Sequence, residues 1–264
     1  MFKQKTVTPY SQNETAKALL EYAQKQFDAG KQRVHFIDGE EDVNELLNPL
    51  GHYPHAFVLA CIMDRQISAA NAWRIPNWVK LAFHGFEMET LSNISLEEFK
   101  KVFNTMEKKH RYPDAMAEYF YLAVQKIHDD YGSDASRIWN DTPPSGLLIY
   151  RFMQFEGVGI KIASMATNIL ARQFGVKLKD MTSIDISPDV HTVRVFQRLG
   201  LTSFENENKS KAGTIYMARA INPEYPGIFD YPCWYVGMKH CHPKNPDCSK
   251  CPFFGFCPSK IENT

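Results

Sequence analysis

Cys241, Cys248, Cys251 and Cys257 place four thiols within seventeen residues in the spacing C-x6-C-x2-C-x5-C, enough to wrap one metal centre. Thiolates select zinc or an iron–sulfur cluster, because both accept tetrahedral sulfur ligation. Structural zinc sites usually face two C-x2-C knuckles toward each other. Here only Cys248 and Cys251 form a knuckle, while Cys241 and Cys257 stand on longer arms, a spacing suited to the four corners of a [4Fe–4S] cubane. Zinc stays open as the alternative, with His240 and His242 as substitute ligands. Disulfides fit poorly. Six cysteines in 264 residues is a modest number, and the N-terminal MFKQKTVTPYSQNE lacks the apolar stretch of a secretion signal, so a reducing, cytoplasmic setting is expected. Cys61 and Cys233 then read as ordinary buried thiols.

A second segment with chemical potential is Phe155-Glu156-Gly157-Val158-Gly159-Ile160-Lys161-Ile162-Ala163. Two glycines in a tight turn between helices let backbone N–H groups approach an anion, and the helix that follows adds the positive end of its dipole. Ile162, Met165, Ala166, Ile169, Leu170 and Phe174 are expected to line one face of that helix. Such a hairpin can hold a phosphate, although glycines in a helix–helix turn also serve purely steric ends. Lys161 falls in the first helical turn, where the dipole disfavours an ammonium and so favours the neutral amine a nucleophile needs.

Thirty residues on, Asp189 stands at the N-cap of a helix whose predicted apolar stripe is Val190, Val193, Phe196 and Leu199, with Gly200 as its stop. A cap fixes a carboxylate rigidly, so one residue can both cap and act on substrate.

Helices must position these groups. Residues 14–29 read as an amphipathic helix stopped by Gly30, and residues 55–72 as a buried helix interrupted near its polar end by Asp64-Arg65-Gln66. Ser95-Leu96-Glu97-Glu98 opens a capped helix over 95–107, and further helices are expected over 114–131 and 144–156, punctuated by Pro113, Pro143 and Pro144. Residues 175–188 read as a loop. The expected class is all-α with a cysteine-rich tail.

The ordered set of G-V-G-x-K-x-A, then D-x-H-x-x-R-V, then the four-cysteine spacing resembles the iron–sulfur helix-hairpin-helix DNA glycosylases, most closely the endonuclease III-like branch, over roughly residues 40–260. The resemblance implies a six-helix barrel domain with the hairpin (36–180) beside a discontinuous cluster domain made from both chain ends (1–35 and 181–264), with the active site in the groove between them. It also implies Lys161 as the amine that attacks the sugar and Asp189 as the catalytic carboxylate. Gly157, Val158, Gly159, Gln66, Arg111 and His191 would then contact DNA, with Gln66 filling the gap left by an extruded base and a second wedge coming from Lys109-His110-Arg111-Tyr112. The four cysteines would hold a structural [4Fe–4S] cluster. Family members commonly carry Leu-Pro before the hairpin glycines, where this chain has Phe155-Glu156, and their spacing from lysine to aspartate is shorter, which leaves Asp185 a rival to Asp189.

On this resemblance the expected activity is removal of damaged bases, oxidised pyrimidines foremost, from double-stranded DNA with abasic-site lyase action by a monomer. A monofunctional glycosylase for mispaired or alkylated bases, a non-catalytic iron–sulfur DNA-binding protein and a zinc-bearing interaction module are the alternatives. Lys plus Arg and Asp plus Glu stand at 30 each, which argues against indiscriminate polyanion binding, and no window reaches the length of a membrane span. Trp73 and Trp78 could stack on a flipped base, but core packing is the plainer reading of two indoles.

Overall fold

The apolar run Phe57–Met63 demands burial on every side, and it obtains it: all ten residues of the helix Pro54–Met63 are buried. In the computed structural model, which describes residues 13–29, 36–48, 50–107, 110–203 and 206–259, every regular element is helical. Gly30 and Lys109, two residues singled out above, lie outside the described residues. The α-helices in chain order are α1 (Glu14–Ala29), α2 (Glu41–Leu47), α3 (Pro54–Met63), α4 (Ala69–Phe83), α5 (Met88–Ser92), α6 (Leu96–Thr105), α7 (Pro113–Tyr131), α8 (Ser145–Met153), α9 (Ile160–Arg172), α10 (Val190–Arg198), α11 (Glu207–Ile221) and α12 (Asp230–Lys239). Among the described residues, no helix is long and apolar enough to cross a membrane.

The chain divides into two units, one of Gln32–Lys179 and one of Met1–Lys31 with Asp180–Thr264. In the first, α3 is the axis, touched by α2, α4, α7 and α9. The buried ring of His55 is engaged: its Nε2 meets the carbonyl of Phe86 at 2.6 Å and the ring stacks on Phe86, while burial pushes the His55 pKa down. Trp73 packs between Phe36 and Phe57 in this core, which accounts for it as a packing residue. Helix α6 begins with a reciprocal capping box, Ser95 accepting from the Glu98 amide and Glu98 from the Ser95 amide.

The single helix expected over 55–72 is two helices, parted at the Asp64-Arg65-Gln66 interruption. Asp64 leaves helical geometry after Met63, Gln66 takes a positive φ of 52°, and α4 restarts at Ala69. The apolar run ends where polar side chains can no longer be buried, and the chain turns there. The restarted helix then carries Pro76 in its interior, a residue that removes one backbone donor.

In the second unit the two chain ends pack together. Tyr22 of α1 meets Phe253 edge-on at 5.2 Å, Phe27 meets Tyr225 at 5.6 Å, and the Thr15 hydroxyl donates to the carbonyl of Phe256. Helices α10 and α12 cross so closely that a Cβ on Gly237 would lie 2.7 Å from the Cβ of His191 and 3.0 Å from its Cα. Only glycine permits this approach.

Candidate functional site

Lys161 owes its position to the turn before it. Helix α8 ends at Met153, Val158 N–H donates to the Phe155 carbonyl, and Gly157 adopts φ +78°. Gly159 then starts α9 in extended geometry, with no side chain capping the helix and nothing within 4 Å of where its Cβ would stand. Phe155 and Val158 are buried anchors, so the turn is fixed from beneath while Gly159, Ile160 and Lys161 are exposed. Ile160 is 61% exposed, an apolar side chain left in water beside the glycines. The first-turn amides of α9 and the amine of Lys161 are thus presented together. The buried face of α9 is broader than the stripe expected, including Ser164, Thr167, Asn168 and Arg172 besides the apolar residues.

Three segments meet at this hairpin. The Arg65 guanidinium donates from Nη1 to the Gly157 carbonyl at 2.7 Å and lies 5.1 Å over the Tyr119 ring. The His110 ring in turn contacts the carbonyl of Arg65 through Nε2. The α3–α4 turn bearing Gln66, the segment bearing Arg111 and the glycine hairpin are therefore tied to one another by Arg65 and His110. Gln66 and Arg111 are both exposed, Gln66 on a left-handed backbone and Arg111 with its guanidinium 5.4 Å from the Tyr112 ring. Arg65 and Asp64 were not singled out by their sequence pattern, since both read as the polar end of a helix. Burial raises the Asp64 carboxyl above its ordinary pKa, and the Lys161 ammonium pulls it back down, so this carboxyl senses the lysine.

Gly157→Ala is expected to destabilise the protein by roughly 1–3 kcal/mol, because φ is positive there and the new Cβ would stand 2.4 Å from Arg65 Nη1 and 3.1 Å from the Tyr119 ring. Chemical denaturation checks this. An unchanged midpoint would contradict it.

In the other unit, Asp189 caps α10, accepting from His191 N–H at 2.9 Å and Thr192 N–H at 2.8 Å, while its own amide donates to the Thr192 hydroxyl. Of the predicted stripe, Phe196 and Leu199 are buried, joined by Val195, while Val193 is half-buried and Val190 is 71% exposed. As the first residue of the helix it precedes the buried face. A groove of about 270 Å³ runs past Asp189, Val190, Val193 and Arg194 toward Glu207 and Lys211. Asp185, the rival carboxylate, is engaged on both oxygens by Arg219 at 2.6 and 2.5 Å. The 175–188 segment is a loop, and its second half is anchored: Ile184 and Ile186 are buried, the Ile184 carbonyl accepts from Gly227 N–H at 2.7 Å, and Ser187 N–H donates to Asp230.

Helix α10 also reaches the cysteines. Arg194 touches His191 Nδ1 at 3.1 Å through Nη2 and donates to the Cys241 carbonyl from Nε at 2.6 Å. Arg198 donates to Cys241 Sγ at 3.4 Å and to the His242 carbonyl, while its own carbonyl accepts from Cys257 Sγ. Cys241, Cys248, Cys251 and Cys257 line one small cavity of about 30 Å³, together with Arg198 and His240. None of the six cysteines is in a disulfide. Burial, with Cys241, Cys257 and Cys248 adding to it, pushes Cys251 up to about 11 against the pull of a backbone hydrogen bond at Phe253. Four thiols that converge on one cavity suit a cationic centre, which ionises them by binding. A further sign of fit is the buried, unpartnered Nδ1 of His240 in the cavity wall. Among the described residues no group of three or more His, Cys, Asp or Glu side chains is set to hold a metal ion. Cys61 and Cys233 are fully buried, and burial pushes both thiols well up.

These helices define an all-α fold in which a glycine hairpin opens one helix and a four-cysteine loop lies near the C-terminus. The particular structures it resembles are a trapped covalent intermediate of endonuclease III with DNA (17% identity over 92% of this chain and 93% of that one, TM-score 0.55) and a non-covalent endonuclease III–DNA complex (18%, 92% and 93%, 0.56). A thermostable thymine-DNA glycosylase is similar as well (18%, 93% and 96%, 0.59). No protein-family model and no curated protein matches the chain. The all-α class that the sequence implied is the class found.

Proposed function

We propose that the protein is a base-excision DNA glycosylase with abasic-site lyase activity, acting on damaged bases, oxidised pyrimidines foremost, in double-stranded DNA. The observation that carries this reading is Lys161, exposed in the first turn of the helix that the Gly157–Gly159 hairpin opens. The likeness to endonuclease III bound to DNA supports the same reading at the level of fold.

Breaking the bond between base and C1′ builds positive charge on the deoxyribose, which an ionised carboxylate stabilises. Asp189, held by two backbone amides, serves that role. The Lys161 amine forms the bond to C1′ as the base leaves with the bonding electron pair and takes up a proton. Loss of the amine's protons and ring opening give a Schiff base. Removal of a C2′ proton then expels the 3′ phosphate and cuts the strand. The target nucleotide must leave the stack first, and Gln66, exposed on its turn beside the hairpin, fills the space it leaves. Gly157, Val158 and Gly159 position a DNA phosphate at the α9 amides, and Arg111 and His191 add further DNA contacts.

The four cysteines hold a [4Fe–4S] cluster. The cavity that all four thiols line supports this reading. The cluster supplies a rigid fold to the C-terminal loop, and with four cysteine ligands it leaves no iron position open to substrate.

The test is a panel of duplexes, each carrying one defined lesion. Release of an oxidised pyrimidine with strand cleavage at that site is expected. Release of a mispaired base without cleavage would favour the monofunctional reading, which the likeness to a thymine-DNA glycosylase keeps in view.

A further inference from the structure

The cysteine motif accounts for four groups around the cavity at the end of the chain, but a fifth faces it that the motif does not include. His240 lines the same cavity, and its Nδ1 is buried without a hydrogen-bond partner. Its backbone is fixed on both sides: the His240 amide donates to the Val236 carbonyl at 2.9 Å as the C-cap of α12, and its carbonyl accepts from Asp247 N–H at 2.9 Å. The ring stands edge-on to Tyr235 at 6.4 Å. Arg198, the charged group of the wall, already divides its guanidinium between Cys241 Sγ and the carbonyls of His242 and Pro243. A buried ring nitrogen with no partner is costly unless something in the cavity pairs with it.

We infer that His240 donates a hydrogen bond from Nδ1 to a sulfur of the cluster and so raises its reduction potential, an inference that rests on the cluster reading of the four-cysteine site. Hydrogen bonds to cluster sulfurs stabilise the more negative, reduced state and are one of the levers that set such potentials. The bond neither makes nor breaks a covalent link, and it leaves all four cysteines as ligands.

The experiment uses the full chain, purified with its iron and grown with nitrogen-15 histidine. Iron and sulfide per chain are counted first, since a colourless or zinc-bearing protein would overturn the cluster reading and this inference with it. With about four irons per chain, pulsed electron paramagnetic resonance of the paramagnetic cluster is expected to reveal one weakly coupled histidine nitrogen in the native protein and none in His240→Leu. The reduction potential is expected to fall in His240→Leu and to recover in His240→Asn, whose amide places a donor near the Nδ1 position. Iron content in the variants separates loss of the hydrogen bond from loss of the cluster. A His240→Leu protein with full iron and an unchanged potential would overturn the inference while leaving the cluster reading intact. A strong coupling that marks direct iron–nitrogen ligation would overturn it as well.

Discussion

Asp189→Asn is expected to lower the rate of base release by roughly 10²–10³-fold while the protein stays folded and binds its DNA. The substitution separates two roles that coincide at one residue. As an N-cap, asparagine is as good as aspartate, and its carbonyl oxygen can accept the His191 and Thr192 amides that Asp189 accepts now. As a stabiliser of positive charge on a sugar, it lacks the negative charge altogether. Single-turnover base release from a lesion duplex, measured beside thermal unfolding and DNA affinity, checks both halves. An Asn variant that is active at the native rate would show that Asp189 only caps its helix. The neighbouring Asp185 is a poor replacement, since Arg219 occupies both of its oxygens.

On the cluster reading, Cys251→Ala is expected to remove the metal centre as a whole. The side chain is half-buried and lines the same cavity as the other three thiols, and without it one iron of a cubane would lose its thiolate. Iron per chain is expected to fall severalfold, and the C-terminal loop loses the centre that folds it, for a loss of roughly 4 kcal/mol or more. Cys61→Ala serves as the comparison. It removes a fully buried thiol from the other unit, so it lowers stability without touching iron content. Metal analysis of the two variants distinguishes ligand loss from core damage. Full iron in Cys251→Ala would contradict the assignment of that residue as a ligand.

Much of the fold was legible because the chain punctuates its helices with residues whose caps can be read. Ser95 with Glu98 and Asp189 with Thr192 both close reciprocal caps in the structure, and Gly157 takes the positive φ that a tight turn between helices requires. The break after Met63 was not legible in this way. Gln66 adopts a left-handed backbone without the glycine that usually announces one, and the apolar run on its N-terminal side masked the turn. Helix α4 was obscured for a related reason, since its internal Pro76 argues against a helix in any local reading.

In the candidate site, the sequence motifs exposed the hairpin, the capping aspartate and the four thiols, but not what braces them. Arg65 reaches 92 positions along the chain to the Gly157 carbonyl, and Arg194 reaches 47 to Cys241. Long-range contacts of this kind leave no local periodicity. His240 was visible only as a substitute zinc ligand, because the burial of its Nδ1 is a property of the folded loop.

The most direct test of covalent base excision through Lys161 is borohydride reduction during turnover of a duplex containing an abasic site or a damaged base, followed by mass-spectrometric mapping of the attached residue. The expected result is a stable protein–DNA adduct whose sugar is joined to Lys161 Nζ, with trapping in Lys161→Ala lowered by roughly 10³-fold or more. An adduct on another amine, or base release with no adduct at all, would contradict the role given to this lysine.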